Sequence, residues 1–183
     1  MTLSINNYIL VLTVIVSIYF DITQKKIPNF ITFPVILWGL LTYTIFGGFE
    51  GFLFSGLGFL VGLGIFLILF ILGVMGGGDL KLMAAIGALK GWKFVLYTSL
   101  YTAFVGGIIV IIWLIYKKQL LATLKRVAGI ILKPILFMLS LRFNNELFNK
   151  VNNYFLSQEL TWEKNYIPYG VAIGIGAVLV YII

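Results

Sequence analysis

The sequence contains no cysteine and no histidine. Without thiols there is no disulfide framework, no thiolate nucleophile and no thiolate metal site. Without imidazole, Ser-His and Cys-His nucleophiles and histidine-ligated metals are excluded too. Charge is also scarce: 10% of the 183 residues are charged, and six of them are Asp or Glu. Any acid–base chemistry must therefore rest on those six carboxylates, on lysines and arginines, or on hydroxyls.

What is abundant is apolar surface. The chain is 61% hydrophobic with a mean hydropathy of +1.09, where a globular domain is about half apolar and a quarter charged. The apolar residues come in runs long enough to cross a bilayer, so the expected fold is all-α: a polytopic membrane helical bundle in a single domain over residues 1–183. A net charge of +7 could suggest nucleic acid, but no solvated basic module with polar neighbours is present, and nucleic acid is not an expected partner. Met1 to Phe20 lacks a basic n-region and a small-x-small cleavage site, so it reads as a retained helix rather than a signal peptide.

About six transmembrane helices are expected. The first runs from about Ile5 to Phe20 and stops at Asp21, and the polar turn through Ile27, Pro28 and Asn29 leads into the second, about Phe30 to Phe46. Gly47 to Glu50 returns the chain into a third, Gly51 to Val74, which ends at Gly76, Gly77 and Gly78. The apolar stretch from Leu80 to Leu89 is short: even carried to Trp92 it reaches roughly 20 Å against a hydrocarbon core of about 30 Å. It is expected either to tilt or to hold Asp79 in a wet recess below the surface. A fifth span covers about Phe94 to Tyr116 and a sixth about Tyr166 to Ile183.

Between the last two lies a polar cytoplasmic loop, residues 117–164. Leu120, Leu124, Val127 and Ile131 share one helical face there, and Lys118, Lys125, Arg126 and Lys133 the other. That is an amphipathic interfacial helix suited to anionic lipid. Loops after spans one and five carry Lys25, Lys26, Lys117, Lys118, Lys125, Arg126, Lys133, Arg142, Lys150 and Lys164, against Lys90 and Lys93 on the other side. By the positive-inside rule the former loops are cytoplasmic and both termini face outward. Asp21 and Asp79 then meet at one membrane depth.

An ionised carboxylate at the centre of a membrane helix costs about 3 kcal/mol, so such a residue is a functional candidate by default. Two carboxylates at about 3 Å share one proton and titrate as a pair, which supplies a base and an acid at once. The ionised member can take a proton from a water attacking a carbonyl, and the protonated member can donate to the carbonyl oxygen. Two carboxylates alone make a poor metal site, so no metal or cofactor is expected. The triple glycine permits positive φ and close backbone approach beside Asp79. It also reads simply as a turn, and Asp21 as a helix end in the headgroup layer. Lys81 reads as a snorkelling side chain. Gly58 with Gly62, Gly87 with Gly91, and Gly170 with Gly174 have the spacing of close helix packing. Glu146, Glu159 and Glu163 lie in the polar loop and read as solvated.

Gly76-x-Gly78-Asp79-x-Lys81-Leu82, followed by Ala84, Gly87 and Gly91, closely resembles the signature of type 4 prepilin peptidases, membrane aspartic peptidases of the GxGD class. Asp21 with Ile27-Pro28-Asn29 resembles that family's first-aspartate motif, and Ile167-Pro168-Tyr169-Gly170 its segment opening the last helix. The resemblance implies removal of the short basic leader from prepilins, pseudopilins, Flp-type pilins or archaellins, at the cytoplasmic membrane face and after a glycine. It implies Asp21 and Asp79 as the catalytic pair, with Gly76, Gly77, Gly78 and Lys81 around them and Pro168 and Gly170 as motif positions. The chain is similar to the short form that lacks the N-terminal region with paired cysteines, so N-methyltransferase activity is not expected. Two readings stand beside this one: a small ion- or proton-coupled transporter using the Asp21/Asp79 pair, and a silent pilus-assembly protein of the same fold.

Overall fold

The computed structural model describes residues 2–71, 75–118 and 169–182, and every regular element among them is helical. In order they are α1 (Thr2–Gln24), α2 (Asn29–Ile71), α3 (Gly77–Tyr116) and α4 (Tyr169–Ile182). The first three are long and apolar enough to cross a membrane, and α4 is a shorter apolar helix. Beyond Lys118, the amphipathic loop helix expected within 117–164 lies outside the described residues, and so does Pro168. The chain divides into two compact units, 1–108 with 167–183, and 109–166. In the second, α3 ends where Lys118 turns to φ 54 and donates its N–H to Ile115 O at 3.0 Å.

In the first unit, α1 does not stop at Asp21 as expected but continues to Gln24. Asp21, Thr23 and Gln24 are polar enough to end an apolar run, yet nothing in residues 22–24 opposes helical backbone. The stop comes from Lys25, at φ 56, whose N–H closes on Asp21 O at 3.1 Å. This is a left-handed C-terminal cap made without glycine. Asp21 consequently sits inside the helix, with its side chain buried.

α2 and α3 are each broken once. In α2 the expected loop from Gly47 to Glu50 contracts to one non-helical residue, Gly48 (φ 56, ψ −140). Gly51 then lies so close to the carbonyl of Tyr43 that a Cβ has no room. In α3 the break is Gly91 (φ 80, ψ 173), a conformation open essentially to glycine alone, with the Phe54 ring packed over it.

The short apolar stretch before Gly91 is explained by where it lies. Leu82 to Leu89 are buried without interruption, so this is a core helix wrapped in protein and not a lipid-facing span. Glycines and hydroxyls let its neighbours close on it. Gly39 sits on the Ala88 carbonyl, Gly58 on that of Gly87 and Gly62 on that of Met83. Ser55 donates to Ala88 O at 2.8 Å and Tyr43 to Leu89 O at 3.0 Å. The segment after Gly48 thus runs antiparallel to the core helix, and the segment before it runs parallel.

α1 carries much of its polarity inward. Its buried face holds Asn6, Thr13, Ser17 and Asp21 beside Leu10 and Val14, while Val11, Leu12, Ile15 and Tyr19 are exposed. Polar groups inside and apolar groups outside is the arrangement a bilayer selects. Thr13 donates to its own helix, to Ile9 O at 2.7 Å, and needs no partner elsewhere. The amino end of α1 is tied down by Trp38, which donates to Asn6 Oδ1 at 3.1 Å, and by Lys90, which donates to Asn7 Oδ1. α4 lies antiparallel to α1, with Gly174 on Val14 and Ile18 and Gly170 on Asp21, and its Gly176 meets Thr98 and Thr102 of α3.

Candidate active site

Both aspartates are buried, Asp21 to 2% and Asp79 to 7% of their exposed surface. They come from different helices, and each lies within the electrostatic field of the other. Among the described residues no third acidic side chain joins them to make a metal-binding group.

Of the two uses of glycine expected beside Asp79, positive φ and close approach, the structure shows the second. Among the described glycines only Gly48 and Gly91 have positive φ, so Gly76, Gly77 and Gly78 are not used for left-handed backbone. Gly77 and Gly78 are the first residues of α3. A Cβ on Gly78 would stand 3.0 Å from Ile27 Cβ and 3.0 Å from Ile27 N, and one on Gly77 would stand 3.5 Å from the Phe70 ring. The glycines are there for close approach: the link between α1 and α2 lies directly on the start of α3.

That start has no capping side chain of its own, because glycine offers none. Asp79 supplies it. Its Oδ2 accepts the N–H of Gly76 at 3.2 Å, and Leu80 N–H reaches Gly76 O at 3.4 Å. This is the returning half of a capping box, with the carboxylate three residues into the helix.

Lys81, expected to snorkel, instead donates to Asn29 Oδ1 at 2.7 Å and lies 5.9 Å from the Phe33 ring centroid. With Gly78 on Ile27, it fastens the residues around Asp79 to those following Asp21. Truncating Lys81 or Asn29 to Ala should cost about 1 kcal/mol, and the double variant little more than either single one. A double-mutant cycle on detergent-solubilised protein reads this coupling; strict additivity would mean the bond contributes nothing.

The third helix end to enter the site is that of α4. Gly170 N–H donates to Asp21 Oδ2 at 2.7 Å in a buried contact. A Cβ at position 170 would lie 2.6 Å from the same oxygen, so glycine is required for the carboxylate to meet the backbone. Tyr169, the residue before, is half-buried. The structure therefore gathers Asp21, Asp79, Gly76, Gly77, Gly78, Lys81, Ile27, Pro28, Asn29 and Gly170 into one region. In the sequence Tyr169 figures only as part of the Ile167-Pro168-Tyr169-Gly170 segment, with no role of its own.

The model of the type IV leader peptidase family matches residues 8–111. The chain belongs to this family. The matched stretch contains both aspartates, the triple glycine and the Ile27-Pro28-Asn29 link, and it ends before α4. A prepilin leader peptidase/N-methyltransferase of Aeromonas hydrophila is 34% identical over 102 residues, which cover 48% of this chain and 34% of that protein. The chain thus matches about a third of the length of this curated relative. No solved structure matches it. Family membership turns a buried acid pair into a chemical expectation, since the residues that the family model spans are those that the fold brings together.

Proposed function

We propose that the chain is a membrane-embedded aspartic endopeptidase that removes the basic leader from a prepilin-like protein. The observation that carries this reading is the burial of two carboxylates from separate helices within each other's field, in a member of the type IV leader peptidase family. In this reading the pair shares one proton, because two ionised carboxylates facing each other in a low-dielectric bundle repel. The ionised acid takes a proton from a water, whose oxygen attacks the scissile carbonyl carbon. The protonated acid gives its proton to the carbonyl oxygen. The tetrahedral diol collapses when the acid that took the water's proton passes it to the amide nitrogen, the other acid takes a proton back from a diol hydroxyl and the C–N bond breaks, leaving a carboxyl group on the leader and an amine on the mature chain.

Residues 1–183 form one integral-membrane domain of about six spans, the breaks at Gly48 and Gly91 being the returns between paired spans. The site faces the cytoplasm and both termini face outward. Lys25, Lys26 and Lys81 at the aspartate end and the basic loop beyond Tyr116 support this orientation. The basic face Lys118, Lys125, Arg126 and Lys133 holds anionic lipid.

The test is reconstitution of the full chain in liposomes with a prepilin-like protein whose basic leader ends in glycine. Gel shift and N-terminal sequencing should show cleavage after that glycine. Intact substrate after prolonged incubation with several such proteins, the peptidase being folded and inserted, would sink the reading.

A further inference from the structure

α4 begins against Asp21. The N–H groups of a helix's first turn have no partner within the helix, and that of Gly170 is given to Asp21 Oδ2 at 2.7 Å in a buried contact. A Cβ at position 170 would lie 2.6 Å from that oxygen and 2.9 Å from the carboxyl carbon Cγ, so only a residue without a side chain brings this amide to the acid. The donor has little room to adjust, because a backbone N–H has no rotamer of its own and its helix is seated along its length. Ala172, Ile173 and Ala177 are buried, Gly174 lies on Val14 and Ile18 of α1, and Gly176 lies on Thr98 and Thr102 of α3. The acceptor does have freedom to lose, since a carboxyl turns about its own χ2, whose wells are broad. The contact therefore sets the plane of the Asp21 carboxyl.

We infer that Gly170 is a positioning residue of the aspartate pair, its backbone N–H gripping Oδ2 of Asp21 and holding that carboxyl in one orientation for proton transfer. The inference rests on the peptidase reading above and gives α4 a part in the reaction: the last helix aims the acid that α1 carries. Catalysis is steep in geometry, a misplacement of about 1 Å costing roughly a hundredfold. A group that fixes one carboxyl plane thus acts on the rate without touching substrate. Its effect belongs to kcat, because the contact is made to a reacting acid and not to the bound chain.

The experiment compares wild type, Gly170→Ala, Gly174→Ala and Asp21→Asn, each as full-length protein in liposomes, on one prepilin-like substrate whose basic leader ends in glycine. Gly174→Ala is the control for packing: its Cβ would press on the same helix α1, 2.5 Å from Ile18 Cδ1 and 3.0 Å from Val14 Cγ1, one turn beyond the contact with Asp21. Gly170→Ala should lower kcat about ten- to a hundredfold with KM unchanged, while Gly174→Ala should lower the melting temperature and keep the wild-type kcat. A wild-type kcat in Gly170→Ala, with Asp21→Asn inactive, overturns this inference and leaves the peptidase reading intact. Losses of kcat in both glycine variants that follow their melting temperatures make position 170 a packing position and overturn it as well. A second measurement needs no variant at 170. In isotope-labelled wild type the Gly170 amide proton resonance should titrate over the pH range in which kcat changes, since its acceptor is a reacting acid. A resonance that stays flat across that range overturns the inference even where Gly170→Ala fails to fold. Absence of cleavage by wild type overturns both readings.

Discussion

Asp79→Asn and Asp21→Asn should each reduce leader cleavage by at least about a hundredfold, and up to ten-thousandfold, the span of a lost general acid or base. Both variants should fold. An asparagine keeps an oxygen where Gly76 N–H meets Asp79 and where Gly170 N–H meets Asp21, so the start of α3 and the anchorage of α4 survive. What is lost is the ability to carry and deliver a proton. Alanine is the poorer test, since it would also strip both contacts and mix folding with chemistry. Asp79→Glu should be inactive too, because an added methylene in a buried site moves the carboxyl out of line. An ion pathway would tolerate that change better. Single-turnover cleavage by purified protein, beside a thermal melt, measures both. Either asparagine variant working near the wild-type rate would remove the pair from the mechanism.

The second large effect concerns stability. Gly58→Ala should destabilise the bundle by about 3 kcal/mol, at the upper end for an overpacked core. Its Cβ would be driven into the carbonyl oxygen of Gly87, with the Gly91 Cα 2.8 Å away. Those are backbone atoms of the buried helix and of its break, and neither can step aside as a side chain would. Gly56→Ala and Gly64→Ala supply the control on the same helix, since their Cβ atoms would meet nothing within 4 Å. Unfolding in mixed micelles should show the loss at position 58 and near-neutrality at 56 and 64. Equal effects at all three would mean that helix propensity, not contact, decides.

The aspartates were legible in the sequence because a carboxylate beside an apolar run is costly, and only Asp21 and Asp79 stand so on the lysine-rich side. The close packing at Gly58, Gly62 and Gly87 was legible from spacing alone. The end of α1 was misplaced because hydropathy falls at Asp21, whereas the helix is terminated by backbone geometry at Lys25, a property hydropathy does not encode. The triple glycine left two uses open for a related reason: glycine's freedom of φ and its lack of bulk look the same in a sequence, and here lack of bulk was what mattered. The bond between Lys81 and Asn29 joins a cation to a neutral amide across 52 positions and leaves no charge pattern to read.

On the peptidase reading proposed above, Asp79 is moored to the helix it starts. Its Oδ2 closes the first turn of α3 on Gly76, a contact worth about 1 kcal/mol. A carboxyl has two oxygens and several lone pairs, so one oxygen can be held while the other meets a substrate. The tether then serves as a rudder, keeping the group on its heading without taking it out of use.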